Sequence, residues 1–300
     1  MNIMDLSKKQ FEILKILAGE KNQSQRQLKE HTGYSLGLVN KIMRELHELH
    51  AVNNGNITDE GFSILEPYRA KRAVFLAAGL GSRLAPLTFN APKPLIRVKG
   101  QRIIDTLLDA CFAAGIEDIY IVRGYLAEQF DQLLYKYPTI KFLENPEYNE
   151  GNNIGSAMMV RNLLQNTYVF EADILLYNPT LIQPYHYSSN ILGISKQRCD
   201  DWCCRVKDGI IREELLGAEG DDVYQMIGIS YWNAADGQKL SHDIADVYAD
   251  PGGKERYWEQ VPLVYRKENY QVSIRECEEY DLDEIDTYKE LKIIDKTYNI

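Results

Sequence analysis

The sequence predicts an α/β fold with a mostly parallel sheet, preceded by a small helical module. Three observations predict it. Apolar strand patterns alternate with helical ones between residues 73 and 171. The first of those strands runs straight into a glycine-rich turn, and the pattern changes character near residue 70. At 300 residues the chain accommodates two domains, taking roughly 150 residues for each. They are expected over 1–68 and 69–300.

In the first segment, 10–18 places Phe11, Ile13, Leu14 and Leu17 at helical spacing. Ser24 is the expected N-cap of a second helix through His31, and Gly33 suits the turn after it. A third helix over 35–50 carries Leu38, Val39, Ile42, Met43, Leu46 and Leu49 on one face. Asn54-Gly55 between short β-prone pairs predicts a hairpin. A short helix over 59–65 precedes Pro67. Three helices and a hairpin make a winged helix-turn-helix, and the segment resembles the MarR-like group of that family. That resemblance implies a DNA-reading third helix, with Ser35, Asn40, Lys41 and Arg44 as its candidate contacts.

Charge argues against DNA as the main partner. Residues 1–70 hold nine basic and nine acidic side chains, whereas the remaining 230 hold 25 basic and 35 acidic ones. An acidic body repels nucleic acid phosphate and favours a cationic ligand. An anionic substrate therefore needs a local Lys and Arg cluster or a bound cation. No apolar run approaches the ~18 residues of a membrane span. The start lacks a basic segment leading into an apolar one, so no signal peptide is expected. The five cysteines are accordingly expected to be reduced, cytosolic, structural thiols.

The second segment opens with Arg72-Ala73-Val74-Phe75-Leu76-Ala77-Ala78, then Gly79-Leu80-Gly81-Ser82-Arg83-Leu84. Glycines let backbone N–H groups approach an anion with no Cβ in the way. Arg83 adds a planar fork of donors, and Lys93 adds a compact charge within Pro92-Lys93-Pro94-Leu95. The pattern is neither a P-loop nor a dinucleotide fingerprint. Strands are expected near 73–77, 118–123, 140–143 and 167–171, and helices near 103–114, 126–135 and 153–164. Ligands bind beyond the carboxyl ends of such strands, so Gly79–Arg83, Gly124–Tyr125 and Asp173 should converge. Short strands near 191–195, 203–207, 210–214 and 226–232 predict a partly antiparallel extension.

The string from Leu76 to Thr88, with Pro92 to Leu95, resembles the nucleotidyltransferases that activate sugar phosphates and phosphocholine, which implies a Rossmann-like sheet. Later segments are similar to the CTP:phosphocholine cytidylyltransferases. These are 124–130, Asn152-Asn153, Glu171-Ala172-Asp173, Asp201-Trp202, 228–232, Tyr257-Trp258 and Glu284-Ile285-Asp286. The resemblance implies a cytoplasmic enzyme that takes CTP and phosphocholine to CDP-choline and pyrophosphate with Mg²⁺. Arg83 and Lys93 would then stabilise the triphosphate, and Asp173 and Asp286 would hold the metal, with Glu171 and Glu284 behind them. Hard divalent cations take such carboxylate oxygens. Within the acidic run 278–286, only the resemblance selects Asp286. The nucleotide is expected against Leu76, Ala77, Ala78, Gly79 and Gly81, with Gly124, Tyr125, Asn153 and Ser156 closing the pocket.

Quaternary ammonium binds over aromatic faces with carboxylates nearby. Asp201, Trp202, Trp232 and Tyr257 are thus the expected acceptor site. Alternative acceptors are 2-aminoethylphosphonate, phosphoethanolamine or a sugar 1-phosphate; a primary amine would favour carboxylates over an aromatic box. A regulator that senses a nucleotide or choline metabolite is the alternative of another class.

Overall fold

The computed structural model describes residues 6–299. Ser7 and Ser24 open α1 (Lys8–Gly19) and α2 (Gln25–Thr32), each with a reciprocal capping box to a glutamine three residues on. Ser35 caps α3 (Leu36–Glu48) through the Leu38 amide, so its hydroxyl serves the helix end. The third helix stops short of the expected residue 50, with His50 at φ 56°. Asn54 and Gly55 both take positive φ and join β1 (Val52–Asn53) to β2 (Asn56–Ile57), as a two-residue hairpin turn requires. Thr58 caps α4 (Asp59–Leu65). The apolar stripe of α1 buries Phe11, Ile13, Leu14 and Leu17 among Leu28, Val39, Ile42 and Leu46. Leu38, Met43 and Leu49 only flank this core. These elements form one compact unit, up to Arg69 and including Tyr185–Tyr187. The second compact unit comprises Ala70–Pro184 and Ser188 onward.

In the second unit, β3 (Arg72–Leu76) is followed by the short pair β4 (Arg97–Val98) and β5 (Gln101–Arg102) and by α5 (Ile103–Ala113). Next come β6 (Asp118–Arg123), β7 (Lys141–Glu144), α6 (Ile154–Val160), β8 (Thr167–Glu171) and β9 (Ile174–Leu176). The strands β3, β6, β7 and β8 run parallel. The helix expected over 126–135 is instead a 3₁₀ segment, Ala127–Tyr135, entered through Leu126 at φ 48°. That expected over 153–164 ends at Val160 and continues as a 3₁₀ turn.

The later elements are β10 (Asn190–Ser195), β11 (Arg198–Lys207), β12 (Ile210–Glu219), β13 (Val223–Trp232), α7 (Ala234–Ala249), β14 (Ser273–Glu276), β15 (Leu282–Glu284) and α8 (Tyr288–Ile294). Asp208 and Gly209, both at positive φ, turn β11 into β12 and extend this hairpin beyond the expected 203–214. The main sheet has the order β10-β14-β12-β11-β13-β8-β3-β6-β7. Alternate residues of β3 feed separate cores on its two faces. Ala73 and Phe75 pack with α5, whereas Val74 and Leu76 pack with α6, Trp232, Trp258 and α7. Burial on both faces explains the uninterrupted apolar run in β3. Among the described residues, no helix is long and apolar enough to cross a membrane.

Candidate active site

Two cavities open beyond the carboxyl ends of β3 and β8. The first is a cleft of about 440 Å³ lined by Leu76–Gly81, Asn145, Tyr148, Asn152, Asn153 and Ser156. Gly81 sits at φ 60°, and a Cβ there would lie 3.0 Å from the Cβ of Lys93 and 3.1 Å from Thr88. A larger residue would therefore be strained and would crowd the lysine that the loop must admit. The Thr88 hydroxyl donates to the Gly81 carbonyl at 3.0 Å, which ties the loop to the segment leading to Lys93.

Lys93 is the electrostatic centre. Its Nζ donates to Asp173 Oδ2 at 2.8 Å and to Asp286 Oδ1 at 3.0 Å. Arg83 reaches the same Asp286 oxygen at 2.9 Å but is itself two-thirds exposed. Burial alone would lower the Lys93 pKa; Asp173 and then Asp286 outweigh it and hold the ammonium above its ordinary range. Backbone pairing explains how residues 113 positions apart meet. β15 pairs antiparallel with β9, Glu284 opposite Ile174, and the Ile285 amide donates to the Asp173 carbonyl. The acidic run is thereby divided. Asp281 and Asp283 serve Asn178 and Tyr177, while Glu284 and Asp286 face the site.

The carboxylate oxygens of Glu171, Asp173 and Glu284 come within 4.8 Å of one another. Asp173 Oδ1 is buried without a partner. Burial, Glu259 and Asp173 push Glu171 well above the usual carboxylate range, and burial with Asp173 and Glu171 does the same to Glu284. Such a cluster demands positive charge, so this oxygen-rich donor set fits a hard divalent cation. Gly228 makes room for it: a Cβ there would lie 2.7 Å from the Glu171 Cβ and Cγ.

The second cavity, about 360 Å³, lies on the other side of this cluster. Its wall carries Asp201, Trp202, Glu214, Tyr257, Trp258 and Glu259. Trp202 and Tyr257 form an edge-to-face corner with centroids 5.4 Å apart. Burial pushes Glu214 and Glu259 each up to about 7. Asn153 holds the inner wall together: its Nδ2 donates to Glu171 at 3.0 Å, and its Oδ1 accepts the Trp258 amide at 2.8 Å.

Three sequence expectations need correction. Trp232 does not reach either cavity; it is fully buried edge-on to Trp258, and its Nε1 donates to Ser230. Gly124 and Tyr125 lie behind the cleft. Gly124 packs against the ring of Tyr148, which lines the cleft in its place, and Tyr125 bonds the Ala78 and Thr88 carbonyls. Glu214 and Glu259 were not anticipated. A bulge between Arg205 and Val206 shifts the register of β11 against β12, hiding the phase that places Glu214 opposite buried Cys204. All five cysteines are free and buried.

This mixed sheet, parallel at β8-β3-β6-β7, with its glycine loop, basic pair and facing acids, defines a nucleotidyltransferase. A nucleotidyl transferase family profile matches residues 72–190, and a winged helix-turn-helix DNA-binding profile matches 6–50. The 2-aminoethylphosphonate cytidylyltransferase of Lancefieldella rimae is 36% identical over 231 residues, covering 75% of this chain and 92% of the relative. The choline-phosphate cytidylyltransferase of Streptococcus pneumoniae is 30% identical, covering 76% of this chain and all of the relative. A solved CTP:phosphocholine cytidylyltransferase from Streptococcus pneumoniae superimposes with a TM-score of 0.69 at 28% identity, covering 76% of this chain and 99% of that one. The chain belongs to the cytidylyltransferase family of nucleotidyltransferases.

Proposed function

We propose that the protein transfers CMP from CTP to a small phosphate or phosphonate bearing a cationic amine, and releases pyrophosphate. One observation carries the reading. Arg83, Glu171, Asp173, Tyr257 and Asp286 line both cavities, so a glycine-lined cleft meets an acidic, aromatic-cornered one at the charged cluster. CTP occupies the cleft and the acceptor occupies the cavity. An acceptor oxygen then attacks the α-phosphorus, the bond to the β-phosphate oxygen breaks, and pyrophosphate leaves. The substrate supplies the nucleophile, so the protein contributes positioning and charge.

Asp173 and Asp286 would hold Mg²⁺, backed by Glu171 and Glu284. Mg²⁺ bound there supplies charge neutralisation for the phosphate oxygens. Arg83 and Lys93 neutralise the triphosphate from the loop side. Main-chain groups of Leu76, Ala77, Ala78 and Gly79 read the base, Asn153 braces the wall between the sites, and Ser156 accepts from Asn145 within the cleft.

The acceptor of first choice is 2-aminoethylphosphonate, the substrate named for the 36% relative, because the cavity wall is rich in carboxylates. Phosphocholine is the second reading, favoured by the Trp202–Tyr257 corner. A pyrophosphate-release screen tests both: four nucleoside triphosphates crossed with 2-aminoethylphosphonate, phosphocholine, phosphoethanolamine and glucose 1-phosphate. Release with CTP and an amine acceptor is expected; turnover confined to glucose 1-phosphate would sink the reading. Duplex binding would be a second role for the winged-helix region, one that its balanced charge disfavours, and salt-dependent retention of duplex DNA by the full chain tests it.

A further inference from the structure

We propose that Glu214 selects a primary ammonium over a quaternary one in the acceptor cavity. The inference rests on the amine-acceptor reading above and names the group that decides between its two candidates. Glu214 Oε2 is shielded from solvent and has no hydrogen-bond partner. In the same wall, Trp258 is 2% exposed and its Nε1 donor is likewise unpartnered. Glu214 and Trp258 both line this cavity and each carries a buried, unpartnered polar atom, an arrangement that a polar guest would relieve, because orphaned buried groups are costly.

Most of the neighbouring acids have partners, and the two acceptors that do not, Asp173 Oδ1 and the Glu284 carboxylate, belong to the cluster that fits a cation. Asp173 and Asp286 hold Lys93, Glu171 and Glu259 take Asn153, and Asp201 caps the Trp202 amide. Glu214 faces the cavity from β12, and its charge adds to the field that raises Glu259. A primary ammonium brings three N–H donors, one of which can satisfy Oε2 through a charge-assisted bond. A trimethylammonium group presents only methyl surface and leaves that oxygen unpaired. The Trp202–Tyr257 corner attracts both heads through their positive charge and offers extra apolar contact to the methylated one, so a preference for the primary ammonium has to come from Glu214.

The test compares full-length wild type, Glu214→Gln and Glu214→Asp by steady-state pyrophosphate release, using CTP with 2-aminoethylphosphonate or phosphocholine. Wild type is expected to prefer 2-aminoethylphosphonate. Glu214→Gln should lower its kcat/KM ratio over phosphocholine roughly tenfold to hundredfold, the range of a lost charged hydrogen bond. The loss should fall on KM for 2-aminoethylphosphonate, with KM for CTP held. Glu214→Asp keeps the charge and should fall between the two. An unchanged ratio in Glu214→Gln, or a parallel loss for both acceptors and CTP, overturns the selectivity role while leaving the transfer reading intact. A wild type that prefers phosphocholine does the same. A wild type that turns over neither amine removes the reading itself.

Discussion

The cleft and the acidic cavity share one charged wall but are built on opposite plans. The cleft presents backbone and small side chains from one contiguous loop, Leu76 to Gly81, with Lys93 delivered by a second loop a dozen residues on. The cavity presents long side chains drawn from β8, β11, β12, β13 and the segment 257–259. A triphosphate is met by main-chain donors and fixed cations, which any glycine-rich turn of the right shape can offer. An acceptor is met by particular side chains, which a few substitutions can retune. On the proposed reading, the difference separates where the protein would keep its chemistry from where it would keep its specificity.

The largest expected effect comes from the shared wall. Lys93→Ala removes a cation that touches both Asp173 and Asp286. Turnover with CTP should fall by roughly a thousandfold, the upper range for losing a preorganised electrostatic partner. Asp173→Ala should be as severe. Circular dichroism should show both variants folded, while the thermal midpoint of Lys93→Ala should fall, because Asp173 and Asp286 lose their shared buried cation. Near-normal kcat in purified Lys93→Ala would show that the cleft works without this bridge and would break the division of labour.

That division also explains what could be read from the sequence. The cleft was legible because its parts are contiguous: strand, glycines, Arg83 and Lys93 fall within 22 residues. The cavity was legible only where aromatic residues stood beside acids, at Trp202 and Tyr257. Trp232 looked the same in sequence, yet it occupies an inward position on β13 and fills the core against Trp258. Glu214 was invisible, because register shifts on both sides of it, one in β11 and one in β12, break the alternation of the hairpin. Asp286 needed the β9–β15 pairing, a contact that no local pattern encodes. Gly124 and Tyr125 follow a strand as expected, but Tyr148 stands between them and the cleft.

A pH experiment probes the cavity side alone. Burial raises the Glu214 pKa from 4.5 to about 7. In this window the folded state binds more protons than the unfolded state, so stability falls as pH rises. The decline should begin near the unfolded pKa of 4.5 and level off above pH 7. For one such carboxylate the full span is on the order of 3 to 4 kcal/mol, at 1.36 kcal/mol per pKa unit. Denaturant midpoints between pH 5 and 8 should therefore decline less steeply in Glu214→Gln than in wild type. Identical slopes would mean that Glu214 is no more buried in solution than an ordinary surface acid. The acceptor should flatten the wild-type slope, because a bound ammonium lowers the cost of the charged form.

The smallest effect separates the two cavities most cleanly. Trp202 lines the acidic cavity and is absent from the lining of the cleft, whereas Tyr257 lines both. Trp202→Ala removes one half of the aromatic corner. A desolvated cation over an aromatic face contributes about 2 kcal/mol, so KM for the amine acceptor should rise by roughly tenfold or somewhat more while KM for CTP holds. Tyr257→Ala, cut from the shared wall, should raise both KM values. The paired variants thus act as internal controls. If Trp202→Ala moved KM for CTP as much as KM for the acceptor, the corner would be a structural brace for the whole site, and cation recognition would fall to the carboxylates alone.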